Sequence, residues 1–187
     1  MSQIPNPHLI DTDTLGSLPP VRAGVLALGS NLGDRFAHLQ GALHCLADTP
    51  QVFLTAVSPV YETTSVGGPA DAPDFLNAVA MFDTTLRSAQ LLDRLHAIEQ
   101  AFGRTRGARN DPRTLDLDLI VLGSRRLDSD RLTLPHPRAS SRPFVLQPWL
   151  DIDPAADIPG EGAVADLLAK LGTDGLRLRT DLRLDAR

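Results

Sequence analysis

Apolar positions along the chain change their period several times, and each change marks an element. Residues 24–28 (GVLAL) form a continuous apolar run closed by Gly29, the pattern of a buried strand. Asp34 then stands as the cap of a helix in which Phe36, Leu39, Leu43 and Leu46 recur at three- and four-residue spacing. Residues 52–58 predict a second strand. A stretch rich in Gly and Pro follows from about Glu62 to Asp74, long enough to be a functional loop. Residues 75–83 alternate as a third strand, with Phe75, Asn77, Val79 and Met81 on one face and Leu76, Ala78, Ala80 and Phe82 on the other. Ser88 is the expected cap of a second helix striped by Leu91, Leu95, Ile98 and Phe102 and ended by Gly103. Residues 115–122 predict a fourth strand.

The order strand-helix-strand-strand-helix-strand is a split βαβ pattern, an α+β sandwich with helices on one face of an antiparallel sheet. Beyond it the pattern predicts a loop or hairpin at 125–135, a helical turn near 143–150 and a helix at about 163–171. The Arg/Asp-rich end either pairs as a strand or stays loose. At 187 residues and 42% hydrophobic, the chain supports one core. The expected division is a disordered tail over 1–20, a single catalytic domain over 21–160 and an extension of unassigned role over 161–187.

Composition narrows the function classes. No apolar run reaches the roughly 18 residues that span a bilayer. The first twenty residues hold four prolines and no Lys or Arg, which fits neither a secretory nor a transit signal. Cys45 is the only cysteine, so there is no internal disulfide and no cysteine-based zinc cage; it reads as a buried structural thiol. Cytoplasm is the expected location. The net charge of -5 argues against a general polyanion binder. Yet residues 104–142 hold nine arginines against five aspartates, an island of +4 in a chain whose remainder is -9.

Within that island, Leu115-Asp116-Leu117-Asp118-Leu119 alternates with period two. The leucines face one side, and Asp116 and Asp118 face the other together. Two adjacent carboxylates repel unless a cation or proton lies between them, and hard oxygens on a rigid strand suit Mg²⁺. A half-exposed strand with an acidic outer face has the same pattern, so the surroundings decide. Glu99 is followed at once by Arg104, Arg106, Arg109 and Arg113, with Arg131, His136 and Arg142 further on. Guanidinium groups bind phosphate oxygens in pairs, and alternating them with metal-binding carboxylates is what a polyphosphate requires. Gly29-Ser30-Asn31-Leu32-Gly33-Asp34 matches neither glycine-rich phosphate fingerprint and reads mainly as a tight strand-to-helix turn.

Several stretches together resemble the 6-hydroxymethyl-7,8-dihydropterin pyrophosphokinase family. They are LALGSNLGD (26–34), SPVYETTSVGG (58–68), DFLNAV (74–79), IEQAFGRTR (98–106), DPRTLDLDLIVLG (111–123), LTLPHPR (132–138) and RPFVL (142–146). The resemblance implies a ferredoxin-like fold and transfer of diphosphate from ATP to a pterin alcohol. It implies that Asp116 and Asp118 hold two Mg²⁺ ions. It places Arg104, Arg106, Arg113, His136 and Arg142 at the phosphates, with Glu99 and Arg109 added to the ATP-binding set. Leu92, Leu119, Arg131 and Thr133 match positions around adenine and ribose. Thr63, Val66 and Asn77 match pterin hydrogen-bonding positions, joined by Thr64, and Phe75 and Phe144 match the rings that sandwich the pterin. Arg104, Arg113, Asp116 and Asp118 form the expected catalytic set.

Three departures stand out. Asn110-Asp111 occupies the place where many members have an aromatic followed by Gly, the loop through Pro69–Pro73 is slightly longer than in short bacterial members, and the arginine loop is slightly shorter. The expected partners are the two small-molecule substrates, with no nucleic acid, no membrane and a monomeric state. A nucleotidyltransferase also uses paired strand carboxylates and two metals, but it releases pyrophosphate rather than AMP. An RNA-binding module of this topology needs aromatics displayed on the sheet strands, and residues 24–29 and 114–122 have none.

Overall fold

A computed structural model describes residues 20–64, 73–104 and 113–186. Its centre is an antiparallel sheet built on β1 (Arg22–Ser30), which pairs along one edge with β4 (Phe75–Thr84) and along the other with β5 (Asp116–Leu122). The outer edge of β4 is shared. β2 (Val52–Val57) pairs with its C-terminal half and β3 (Tyr61–Thr63) with its N-terminal half. A late strand, β10 (Arg177–Leu178), pairs in turn with β3. Between β5 and β10 lie the hairpin β6 (Leu127–Asp128) and β7 (Thr133–Leu134) and a smaller one, β8 (Asp157–Ile158) and β9 (Gly162–Ala163).

Helices cover both faces of this sheet, not one as the sequence pattern predicted. α1 (Arg35–Ala47) and α2 (Ser88–Ala101) close a core with Leu26, Leu28, Leu76, Phe82, Leu117 and Leu119. α3 (Pro143–Ile152) and α4 (Val164–Leu171) close a second core with Val25, Ala27, Val79 and Ile120. The physical reason is legible in β1, where the seven residues from Gly24 to Ser30 are all buried. A strand buried on both sides reads as an unbroken apolar run, whereas a half-solvated one alternates. Gly24 belongs to the packing of the first core: a Cβ there would stand 2.3 Å from the Phe82 ring.

Local signals held with two corrections. Asp34 caps α1 by accepting the Ala37 N–H at 3.0 Å, and Gly103 follows α2 at φ +76°. The cap of α2 is Arg87 rather than Ser88, its N–H donating to the Gln90 side chain at 3.1 Å. The loop expected from Glu62 starts later, because Tyr61–Thr63 is a strand. Cys45 is half-buried against the first core. No helix among the described residues is long and apolar enough to cross a membrane. The tail expected over residues 1–20 lies, but for Pro20, outside the described residues.

Glu62, at the centre of β3, is 7% exposed and accepts from Arg35 of α1 at 2.8 Å, from Arg177 at 2.6 Å and from Arg179 at 2.9 Å. Burial pushes its carboxyl up, but the three guanidiniums outweigh burial and hold it below the ordinary 4.5. A carboxyl depressed by folding stabilises the fold above its unfolded value, and that stabilisation is lost as pH falls through the folded value. Glu62→Gln should therefore cost about 2–3 kcal/mol near neutral pH. It should also flatten the acid limb of a melting-temperature profile below about pH 4.5. Equal acid slopes for both proteins would remove Glu62 from the acid response.

Candidate active site

Strand register assembles the site from residues far apart in the chain. Gly29 of β1 lies opposite Asn77 of β4 on one side and Asp116 of β5 on the other. One step along, Ala27 lies opposite Val79 and Asp118. Directly paired residues project to the same face, so Asn77, Asp116 and Asp118 all stand on the α3–α4 face, with Phe75 two residues before Asn77. The backbone at Gly29 does not require glycine, since its φ is not positive. A Cβ there would meet Asn77 Oδ1 at 3.5 Å, Phe75 Cδ1 at 3.7 Å and Asp116 Cβ at 3.9 Å. Unlike Gly24, then, Gly29 relieves no clash. It leaves the sheet surface level between the aromatic-amide pair and the carboxylate.

The Asn77 amide is oriented by β3: its Nδ2 donates to Thr63 Oγ1 at 2.9 Å. Tyr61, on the same face of β3, donates its hydroxyl to Asp151 Oδ2 at 2.7 Å and so ties the strand to α3. The first turn of α3 carries Phe144, which packs against the second core, and the Arg142 guanidinium lies 5.6 Å from the centre of its ring. Phe75 and Phe144 are thus on the same side of the sheet, as the resemblance requires. Thr64 is exposed just beyond β3.

Each carboxylate has its own cationic partners. Asp116 Oδ1 pairs with Arg104 at 2.8 Å and with Arg113 at 3.0 Å. Asp118 Oδ2 pairs with Arg142 at 2.6 Å and lies 3.6 Å from His136 Nε2. Burial pushes the Asp118 carboxyl up, but His136 and the Arg142 and Arg138 guanidiniums outweigh it and hold the carboxyl below its ordinary range. Burial pushes the His136 ring down against the pull of Asp118, so Arg142 is the firmer charge partner. Arg138 was not singled out in the sequence. The segment that carries it is tied to β5 by the His136 N–H, which donates to Ile120 O at 2.8 Å.

Glu99 is turned inward. It is 3% exposed, accepts the Leu117 N–H at 2.8 Å and holds Arg104. Burial pushes its carboxyl up to about 7. Of the residues expected around adenine and ribose, Leu92 and Arg131 line a pocket of about 320 Å³ between α2 and the β6–β7 hairpin. Arg131 is held there by Asp93 at 2.5 Å. The Thr133 hydroxyl donates to Asp128 within the hairpin. Leu119 points into the first core at 3% exposure, which leaves its backbone on the sheet edge as the part a ligand can meet. Arg106, Arg109 and Val66, with the departure at Asn110-Asp111, lie outside the described residues.

The turn read as a mere connection does more. Asn31, 1% exposed, donates to Pro73 O at 3.2 Å and accepts the Arg113 N–H at 2.7 Å, while Ser30 Oγ donates to Thr114 O at 2.6 Å. One asparagine therefore fixes the chain just before the Phe75–Asn77 strand and just before the aspartate strand. Two polar residues directly after an unbroken apolar strand were the available signal.

The model of the 7,8-dihydro-6-hydroxymethylpterin-pyrophosphokinase family matches residues 25–154. The chain belongs to this family. A Pseudomonas aeruginosa 2-amino-4-hydroxy-6-hydroxymethyldihydropteridine pyrophosphokinase is 43% identical over 151 residues, covering 81% of this chain and 93% of that one. Proteins of the same name from Methylorubrum extorquens and Mycobacterium tuberculosis H37Rv are 41% and 42% identical. They cover 81% and 79% of this chain and 94% and 82% of their own. Among solved structures, a Plasmodium falciparum HPPK-DHPS in complex with pteroate shares the fold with TM-score 0.63 at 14% identity over 83% of this chain. Another with SDX-DHP has TM-score 0.64 over 88%. This chain spans 44% and 50% of those longer proteins. The matched pyrophosphokinase region contains every described residue of the site.

Proposed function

We propose that this protein transfers the diphosphate of ATP to the hydroxyl of 6-hydroxymethyl-7,8-dihydropterin, giving AMP and the pterin methyl diphosphate in folate biosynthesis. The observation that carries the reading is the single row Asn77, Gly29, Asp116, with Asp118 beside it. A surface for a flat heteroaromatic ring adjoins two carboxylates surrounded by arginines. Phe75 and Phe144 take the two faces of the pterin, and Asn77, Thr63, Thr64 and the Val66 backbone take its polar edge. The Leu92–Arg131 pocket, with Thr133 and the Leu119 backbone, takes adenine and ribose. Arg104, Arg106, Arg109, Arg113, His136 and Arg142 take the triphosphate, with Glu99 setting Arg104 in place.

Asp116 and Asp118 are the residues that would hold Mg²⁺, two ions in our reading. The donor set fits: hard carboxylate oxygens on one strand, and no group of three or more His, Cys, Asp or Glu among the described residues to form a protein cage. Such a site suits a cation that keeps waters and substrate phosphates as its other ligands. Bound there, Mg²⁺ would neutralise phosphate charge and lower the pKa of the attacking hydroxyl. The chain's own residues align that hydroxyl with the β-phosphorus and spread the charge of the transferring group over the guanidiniums. The pterin hydroxyl oxygen bonds to the β-phosphorus, the bond from that phosphorus to the α–β bridging oxygen breaks, AMP leaves, and the hydroxyl proton passes to solvent. We place the protein in the cytoplasm as a monomer, a compartment that suits its lone thiol.

Chromatography of a reaction with ATP, Mg²⁺ and the reduced pterin alcohol tests this. One AMP should appear per pterin consumed, and none without the pterin. ADP formation, or ATP consumption independent of pterin, would contradict it. A narrower test is Phe144→Ala, which should weaken pterin binding by about 1–3 kcal/mol, the scale of stacking on one aromatic ring. Binding of a non-hydrolysable ATP analogue should be nearly unchanged. Calorimetry showing the reverse pattern would remove Phe144 from the pterin slot.

A further inference from the structure

β3 is a weak element in a demanding position. It has three residues, it pairs with only half of β4, and its Thr63 orients the Asn77 amide. What fastens it comes from the far end of the chain. Arg177 and Leu178 pair with Glu62 and Tyr61, and the Arg179 N–H donates to Val60 O at 2.9 Å. Arg177 and Arg179 both donate to the buried Glu62 carboxylate. Asp181 grips Arg179 through both oxygens, at 2.9 and 2.7 Å. The chain then runs onto α1, where Leu182 and Leu184 pack against the first core and Asp185 exchanges two backbone hydrogen bonds with the Gln40 side chain, at 2.8 and 2.9 Å. The same cluster reaches the start of β4: Arg35 donates to Asp74 O at 2.6 Å, and Arg177 lies 3.7 Å from the Asp74 carboxylate.

We propose that residues 177–185 are a positioning strap for the pterin end of the site. Arg177 and Arg179 are positioning residues: through Glu62 they set the register of β3 on β4 and hence the geometry of Thr63 and Asn77. Tyr61 and Glu62 divide the work by strand alternation. Tyr61 fixes one face of β3 to α3, and Glu62 fixes the other to the tail and α1. Without the tail, Arg35 is the one ion-pair partner left to the buried Glu62 charge among the described residues. A buried carboxylate short of partners draws in water or shifts its strand. The aspartates lie on β5, and β4 and β1 stand between that strand and β3. The strap therefore acts on pterin and not on nucleotide. The assignment of Thr63 and Asn77 to pterin rests on the proposed function.

The test is the double variant Arg177→Gln/Arg179→Gln in the full-length chain. The Michaelis constant and calorimetric dissociation constant for the pterin should rise about tenfold, the scale of one hydrogen bond. The Michaelis constant for ATP and the turnover number should stay within about twofold. Amide exchange at Tyr61–Thr63 should accelerate while exchange at Leu117–Val121 does not. Arg179→Lys, which keeps the charge, should fall between the two proteins. If the double variant does not fold, the exposed Arg177→Gln alone should give the same split at smaller size. A lower melting temperature with unchanged pterin constants would make the strap a stabiliser only and overturn the proposal, as would equal rises for pterin and ATP. Failure of the functional reading looks different: the unmodified protein would make no AMP. Exchange at Tyr61–Thr63 would then still decide the strap, and unchanged exchange in the variant would overturn it.

Discussion

Replacing Asp118 with Asn should lower turnover by about a thousandfold or more while the protein stays folded. The substitution keeps the size of the side chain and an oxygen that accepts from Arg142, but it removes the charge and with it most of the affinity for a hard cation. Relief of repulsion between Asp116 and Asp118 would predict a slightly more stable protein. The structure changes that expectation. Each carboxylate already has its own guanidinium, with Arg142 at 2.6 Å from Asp118 and Arg104 and Arg113 on Asp116. Losing the Asp118 charge leaves Arg142 without its anion, so a modest loss of stability is expected, on the order of 1–2 kcal/mol. The Mg²⁺ concentration for half-maximal nucleotide binding should rise. A folded variant with near-normal AMP formation would end the assignment of Asp118 as a metal ligand.

Arg142→Gln should have the next largest effect, a loss of about a hundredfold or more in turnover. The residue joins the two halves of the site: it pairs with Asp118 and lies against the Phe144 ring. Its side chain is only 14% exposed, so its attraction for phosphate is poorly screened by water. A guanidinium has five donors, and the Asp118 carboxylate accepts from one nitrogen, which leaves capacity for phosphate oxygens. Glutamine keeps some hydrogen bonding but neither the charge nor the planar fork. A loss confined to pterin affinity, with turnover preserved at saturation, would place Arg142 in the pterin slot alone.

The features strongest in the sequence were those written in a single local period. The alternation of Leu115–Leu119 placed the aspartates on one face opposite the leucines, and the structure keeps them so. The helical stripes of α1 and α2 hold in the same way. What the sequence hid was long-range. Nothing local in Tyr61–Thr63 announces a strand, because its pairing partners are Phe75–Asn77 and, at the far end of the chain, Arg177 and Leu178. The covering of the second sheet face was written in the unbroken run of β1, yet a buried strand and a one-sided strand share the same propensities. Glu99 and Asn31 were legible as residue types but not as roles. Glu99 stands beside the outward arginines in the sequence yet turns inward, and Asn31 has the pattern of a turn residue yet is buried. Both are buried polar groups whose partners are backbone atoms, which no side-chain pattern records. Leu119 shows the converse, an expected ligand contact whose side chain is core.

The central claim is that the pterin hydroxyl attacks the β-phosphorus of ATP above Asp116 and Asp118. Phosphorus NMR of a reaction run with ATP carrying ¹⁸O in the α–β bridge tests it most directly. Attack at the β-phosphorus breaks the bond between that phosphorus and the bridge oxygen, so the label should be recovered on the phosphate of AMP. Label recovered in pyrophosphate, with AMP joined to the pterin, would mean attack at the α-phosphorus and would contradict the account.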